Sequence, residues 1–104
     1  MKLTTDEFNG LPLGDATLMS IAWLNDGRDV AVRLCLPDGR IPIITFEWVT
    51  RLRVDLHQSE RQPYQPFSWD GSAKESGNHK DVVLDFAGQG SLSLACDSIL
   101  AEGT

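Results

Sequence analysis

Apolar and polar residues alternate along most of this chain with a period of two. The clearest run is Asp29–Leu36, where Val30, Val32, Leu34 and Leu36 point one way and Ala31, Arg33 and Cys35 the other, as in a strand with one face buried. Asp26-Gly27-Arg28 precedes this run. The same three residues recur twelve positions later, as Asp38-Gly39-Arg40 before Ile41–Phe46. Asp-Gly between alternating apolar runs predicts a hairpin, because glycine takes the positive φ that a tight turn needs. The segment from Ala16 to Leu56 therefore reads as an antiparallel meander.

The remaining pattern extends that sheet. Ala16–Leu24 carries apolar residues on both parities, which predicts burial on both faces or a bulge near Ser20. Pro42, close to the start of the third run, marks an edge, a strand beginning or a bulge, since proline cannot donate to a ladder. Leu52, Val54 and Leu56 alternate with Arg51, Arg53 and Asp55 as a fourth strand with a charged outer face. Lys80–Ala87 and Ser91–Asp97, joined by Gly88-Gln89-Gly90, predict a C-terminal hairpin, with Ile99 and Leu100 prolonging its last strand. At the N-terminus, Thr4 or Thr5 can cap a short helical turn through Asp6, Glu7 and Phe8. Asn9-Gly10-Leu11-Pro12 would end it. The expected fold is one all-β antiparallel domain over residues 1–104, of about six strands, forming a sandwich or a partly open barrel.

The segment 57–79 breaks the alternation. It holds three glutamines, Pro63, Pro66, Gly71 and Gly77, with no aliphatic larger than Ala73. This composition predicts a long irregular loop whose part from Asp70 to Asn78 is mobile. Loops of that length in a compact domain tend to carry function. Tyr64, Phe67 and Trp69 lie inside it and are the expected partner-contacting residues, since aromatics beside a sheet suit recognition. Phe46 and Trp48 are expected in the core.

Composition narrows the functional classes. Fifteen carboxylates against nine Lys and Arg give a net charge of −6. That balance repels phosphate backbones and suits a basic partner. No apolar run is long enough to span a membrane. The acidic start Asp6-Glu7 has no apolar stretch typical of a signal peptide, so a cytoplasmic location is expected. Cys35 and Cys96 have no CxxC spacing and fall on different faces, so both are expected to be free thiols.

Candidate chemistry is sparse. His57 and His79 bracket the irregular segment and could line a pocket beneath it, but nothing supplies the spacing of a metal site. No serine sits in a nucleophile elbow, and Gly88-x-Gly90 lacks the third glycine and the helix of a phosphate cradle. Asp81 and Asp85 share a face, as surface carboxylates of an acidic protein do. No cofactor is implied.

The order Gly14-Asp15-Ala16-Thr17-Leu18-Met19-Ser20-Ile21, a DGR turn, Ile44-Thr45-Phe46-Glu47-Trp48-Val49 and a closing Leu92-Ser93-Leu94-Ala95-Cys96 resembles a group of small bacterial domains. These are mostly of unknown function, and some resemble immunity proteins of contact-dependent or polymorphic toxin systems. Such domains open with His-Asp-Ala-x-Leu-x-Ser-Ile. Gly14 stands here in place of the histidine, so any role tied to that side chain is absent. The resemblance implies an antiparallel β domain without an established active site. The leading expectation is thus a non-enzymatic domain that binds another protein, a basic toxin among the candidates. The alternatives are a small-molecule or catalytic domain with a pocket under 57–79, and a homo-oligomer joined through a strand edge.

Overall fold

The computed structural model of the chain describes residues 1–12, 14–57, 69–86 and 89–102. In these the chain runs β1 (Lys2–Leu3), α1 (Thr5–Asn9), β2 (Thr17–Leu24), β3 (Asp29–Cys35), β4 (Ile43–Glu47), β5 (Thr50–Leu56), β6 (Trp69–Ser76), β7 (His79–Phe86), β8 (Gly90–Cys96) and β9 (Ser98–Glu102). Two antiparallel sheets result, one in the order β1-β9-β4-β3-β2 and the other in the order β5-β8-β7-β6. They face each other as a sandwich. The all-β reading holds, with a single short α-helix and one 3-10 turn at Asn25–Gly27 among the described residues.

Local sequence explains most boundaries. Thr4 caps α1 through a reciprocal pair: its hydroxyl accepts from Glu7 N at 3.1 Å, and Glu7 Oε1 accepts from Thr4 N at 2.9 Å. This satisfies two otherwise unpaired backbone donors. The two DGR turns join β2 to β3 and β3 to β4, and the expected bulge appears as a register shift between Leu18 and Ser20. Gly27 and Gly39 sit at φ +90° and +91°. Nothing lies within 4 Å of a Cβ placed on Gly39. Gly39→Ala should therefore lose about 1 kcal/mol from backbone strain alone, measured as a shift in the urea midpoint at unchanged slope. An unmoved midpoint would contradict the left-handed backbone there.

Apolar residues of both inner faces meet in one core. Phe8 from α1 lies edge-on to Phe46 with ring centroids 6.1 Å apart, and Leu34, Ile44, Leu84, Phe86, Leu92 and Ile99 surround them with essentially no exposure. Asn9 bonds β6 from the side: its Nδ2 donates to Ala73 O at 2.9 Å, and its Oδ1 accepts from Ala73 N at 2.7 Å. α1 thus closes the side of the sandwich on which β1 and β6 are the edges.

Three expectations are corrected. The irregular, mobile stretch expected to extend to residue 79 is a strand in its second half. Trp69–Ser76 pairs along its whole length with His79–Phe86 around a turn at Gly77, which has φ +66°. Residues 58–68 of that stretch lie outside the described residues. The last strand is not an extension of β8. The chain crosses sheets at Asp97, and β9 inserts between β1 and β4. Trp48 is not in the core: it is 57% exposed, whereas its neighbour Phe46 is fully buried. A φ of +56° at Trp48 turns the chain as it leaves β4 for β5 in the other sheet.

Candidate functional surface

Asp29 is the most deeply buried charged side chain among the described residues, with 1% exposure. It follows the first DGR turn, where the second turn has Ile41 instead. Four donors converge on its carboxylate. Oδ1 accepts from Arg28 Nε at 2.9 Å and from the backbone N–H of Trp48 at 3.1 Å. Oδ2 accepts from Arg28 Nη2 at 2.8 Å and from Asn25 Nδ2 at 2.5 Å. The fork of Arg28 matches the carboxylate edge in the bidentate geometry that makes such pairs strong. Hydrogen bonds from Arg28, then from Asn25 and the Trp48 N–H, outweigh the cost of burial and hold the Asp29 carboxyl well below the usual carboxylate range.

This anchor organises an exposed end of the first sheet. The Arg28 guanidinium lies 4.7 Å from the centre of the Trp48 ring, within cation–π reach, and its Nη2 is 3.8 Å from Glu47 Oε2. Glu47 Oε1 accepts from the Ser98 hydroxyl at 2.6 Å, and Val49 N donates to Arg28 O at 2.9 Å. Trp23, 61% exposed, stands beside the same turn: a Cβ on Gly27 would lie 3.6 Å from its Cδ1. Seven large hydrophobic side chains are exposed among the described residues. Five of them, Met19, Trp23, Leu24, Trp48 and Val54, belong to β2, β5 or the β4–β5 junction, on the side that α1 leaves open.

The residues singled out from sequence fall elsewhere. Tyr64 and Phe67 lie outside the described residues, and Trp69 is described through its backbone, which pairs with Phe86. His57 and His79 are not brought together. His57 follows the end of β5, where Leu56 pairs with Gly90, while His79 opens β7 beside the Lys80–Cys96 pair. The run of strand from Gly90 to Cys96 separates them by roughly 20 Å. His79 Nε2 instead lies 3.0 Å from Arg51 Nη2 and 3.3 Å from Asp81 Oδ1, beside an open depression of about 320 Å³ lined by Arg51, Asp81, Ser93 and Leu94. An apolar cleft of about 270 Å³, lined by Leu3, Leu11, Leu36 and Ile44, sits at the β1 end of the core, away from both histidines. No group of three metal-ligating side chains occurs among the described residues. Cys35 is half-buried and Cys96 buried, both as free thiols. Burial pushes the Cys96 thiol up to about 12.

Arg28, Asp29 and Trp48 were not singled out as a unit by their sequence pattern. One clue was available: an acidic residue directly after the first DGR, at a position where the second turn continues with isoleucine. No helix of the described chain is long and apolar enough to cross a membrane.

No family model matches the chain, and no curated protein does. A solved structure of an uncharacterized protein from Neisseria gonorrhoeae is similar, with a TM-score of 0.63 at 10% identity, over 86% of this chain and 92% of that one. At that identity the likeness shows the fold alone: an antiparallel β-sandwich of this kind.

Proposed function

We propose that the chain is a non-enzymatic protein-binding domain, immunity-like in kind, whose partner is basic. Trp48 carries this reading. Its left-handed backbone strains a bulky residue, and its indole adds little to the core. The Asp29–Arg28 clamp nevertheless fixes its position. A rigid, exposed indole stacked by arginine has the composition of an interface anchor. Glu47 precedes it, Asp97 N donates to Glu47 O at 2.9 Å, and Asp26 lies in the turn that carries Arg28, in a chain of net charge −6. This favours cationic side chains on the partner. The resemblance to immunity proteins points to a toxin as one such partner.

The test is capture of a partner by the immobilised chain, with Trp48→Ala alongside. The variant should keep its melting midpoint and weaken binding by about 2 kcal/mol, roughly 30-fold. Binding to wild type should also weaken as salt rises. A partner held equally by Trp48→Ala, or indifferent to salt, would remove this surface from the functional account.

A further inference from the structure

A sandwich has open sheet edges, and each is a template for another strand unless something blunts it. Three of the four edges here are blunted. β1 is two residues long. β6 carries Asp70, Lys74 and Glu75, and the Asn9 amide occupies both backbone groups of Ala73 as a neighbouring strand would. β5 alternates Arg51, Arg53 and Asp55, shifts register between Thr50 and Arg53, and has Arg51 at φ +54°.

β2 differs. Its eight residues, Thr17–Leu24, contain no charge and no proline. Beyond the bulge near Met19, Ile21–Leu24 pairs with Asp29–Val32 in unbroken register. β2 is the last strand of its sheet. Through that register Trp23 continues the row Val30, Phe46 and Ile99, whose other members are buried. Trp23 therefore extends the core-facing side of the sheet past the point where the second sheet covers it.

We propose that β2 is a dimerisation seam, at which two copies of the chain pair antiparallel about a two-fold axis through Ala22. The occupant follows from charge and from side-chain order. Two molecules of net charge −6 repel, and of the four edges β2 is the long one that brings no carboxylate to the contact. With Ala22 on the axis, Trp23 faces Ile21 of the second copy, and Ile21 faces its Trp23. The core-facing row then runs unbroken through both molecules, while the small Ala22 side chains meet on the outer face. The pairing is isologous, so it consumes both β2 edges and stops at two. The two five-stranded sheets become one of ten.

The full chain should show a mass twice its 11.5 kDa by light scattering, across concentrations from micromolar to millimolar. Ala22→Lys puts like charges across the axis and should raise the dissociation constant about a hundredfold or more. Val83→Lys, on the outer face of the second sheet, should change nothing. Should Ala22→Lys fail to fold, Ala22→Cys in a Cys35→Ser background provides the second test. Mild oxidation should cross-link it into a covalent dimer, because directly opposed residues lie within disulfide distance, and Thr17→Cys in the same background should stay unlinked. Trp48→Ala should leave the mass unchanged, so failure here is distinct from failure of the Trp48 surface. A monomer at every concentration, an open-ended assembly, a dimer indifferent to Ala22→Lys, or cross-linking at Thr17 in place of Ala22 would each overturn the seam. A monomeric chain would leave β2 to a strand from a different protein.

Discussion

Adding one methyl group at Gly90 should destabilise the fold by about 3 kcal/mol or more. Gly90 opens β8 at φ +107°, opposite Leu56. A Cβ there would overlap the carbonyl oxygen of Asp55 and come within 2.9 Å of the Asp55 carbonyl carbon and of Leu56 Cα. All three atoms are backbone, so no side chain can rotate away. Relief requires moving β5 off β8 where His57 N donates to Gln89 O at 3.0 Å. Gly39→Ala, with open space around it, isolates the conformational part of the cost. The difference between the two variants in urea denaturation therefore measures the close approach. Equal losses would mean that β5 and β8 do not meet so tightly.

Asp29→Asn is the second large effect, expected to cost about 3 kcal/mol at neutral pH. The amide keeps the shape but not the charge, and it cannot accept from all four donors. Removing one member of a buried ion pair costs about 3–5 kcal/mol. The low end applies because Arg28 is about a third exposed and can rehydrate. The pH dependence follows from the depressed carboxyl. Because the folded state favours ionised Asp29, its contribution is fully present above the unfolded value, about 4. It is lost as pH falls through the lower folded value. Wild type and Asp29→Asn should thus differ most at neutral pH and converge in strong acid. A gap that stays constant down to strong acid would show that the charge of Asp29 contributes nothing to it.

The meander was legible because its code is local. Asp-Gly turns, strict alternation in β3, a Thr4–Glu7 capping pair and mixed parity around Ser20 each act within a few residues. What escaped was decided by distant partners. β6 lacks large aliphatics, and α1 packs against it with Asn9 bonded to the small Ala73, so a period-two reading finds nothing to count. The crossing at Asp97 depends on a vacancy between β1 and β4, strands from the start and the middle of the chain. Residue type alone points Trp48 to the core, but its left-handed backbone and its N–H bond to Asp29 place it on the surface. The candidate surface was the least legible part. Asp29 looks like one more turn carboxylate until Asn25, Arg28 and the Trp48 N–H close around it.

The place of β9 has a consequence for the order in which the chain can be built. β9 is the last strand described, yet it lies inside its sheet, with β1 on one side and β4 on the other. During synthesis β4 keeps a second open edge until residues 98–102 leave the ribosome, and β1 has no strand partner at all. The buried Ile99, which pairs with both Leu3 and Phe46, is then still missing from the core. Pairings of such long sequence separation form late, because loop closure comes before any gain in contact energy. A nascent chain holding β2 to β4 therefore presents two apolar edges instead of one. It is most exposed to wrong pairing in the interval before β9 arrives.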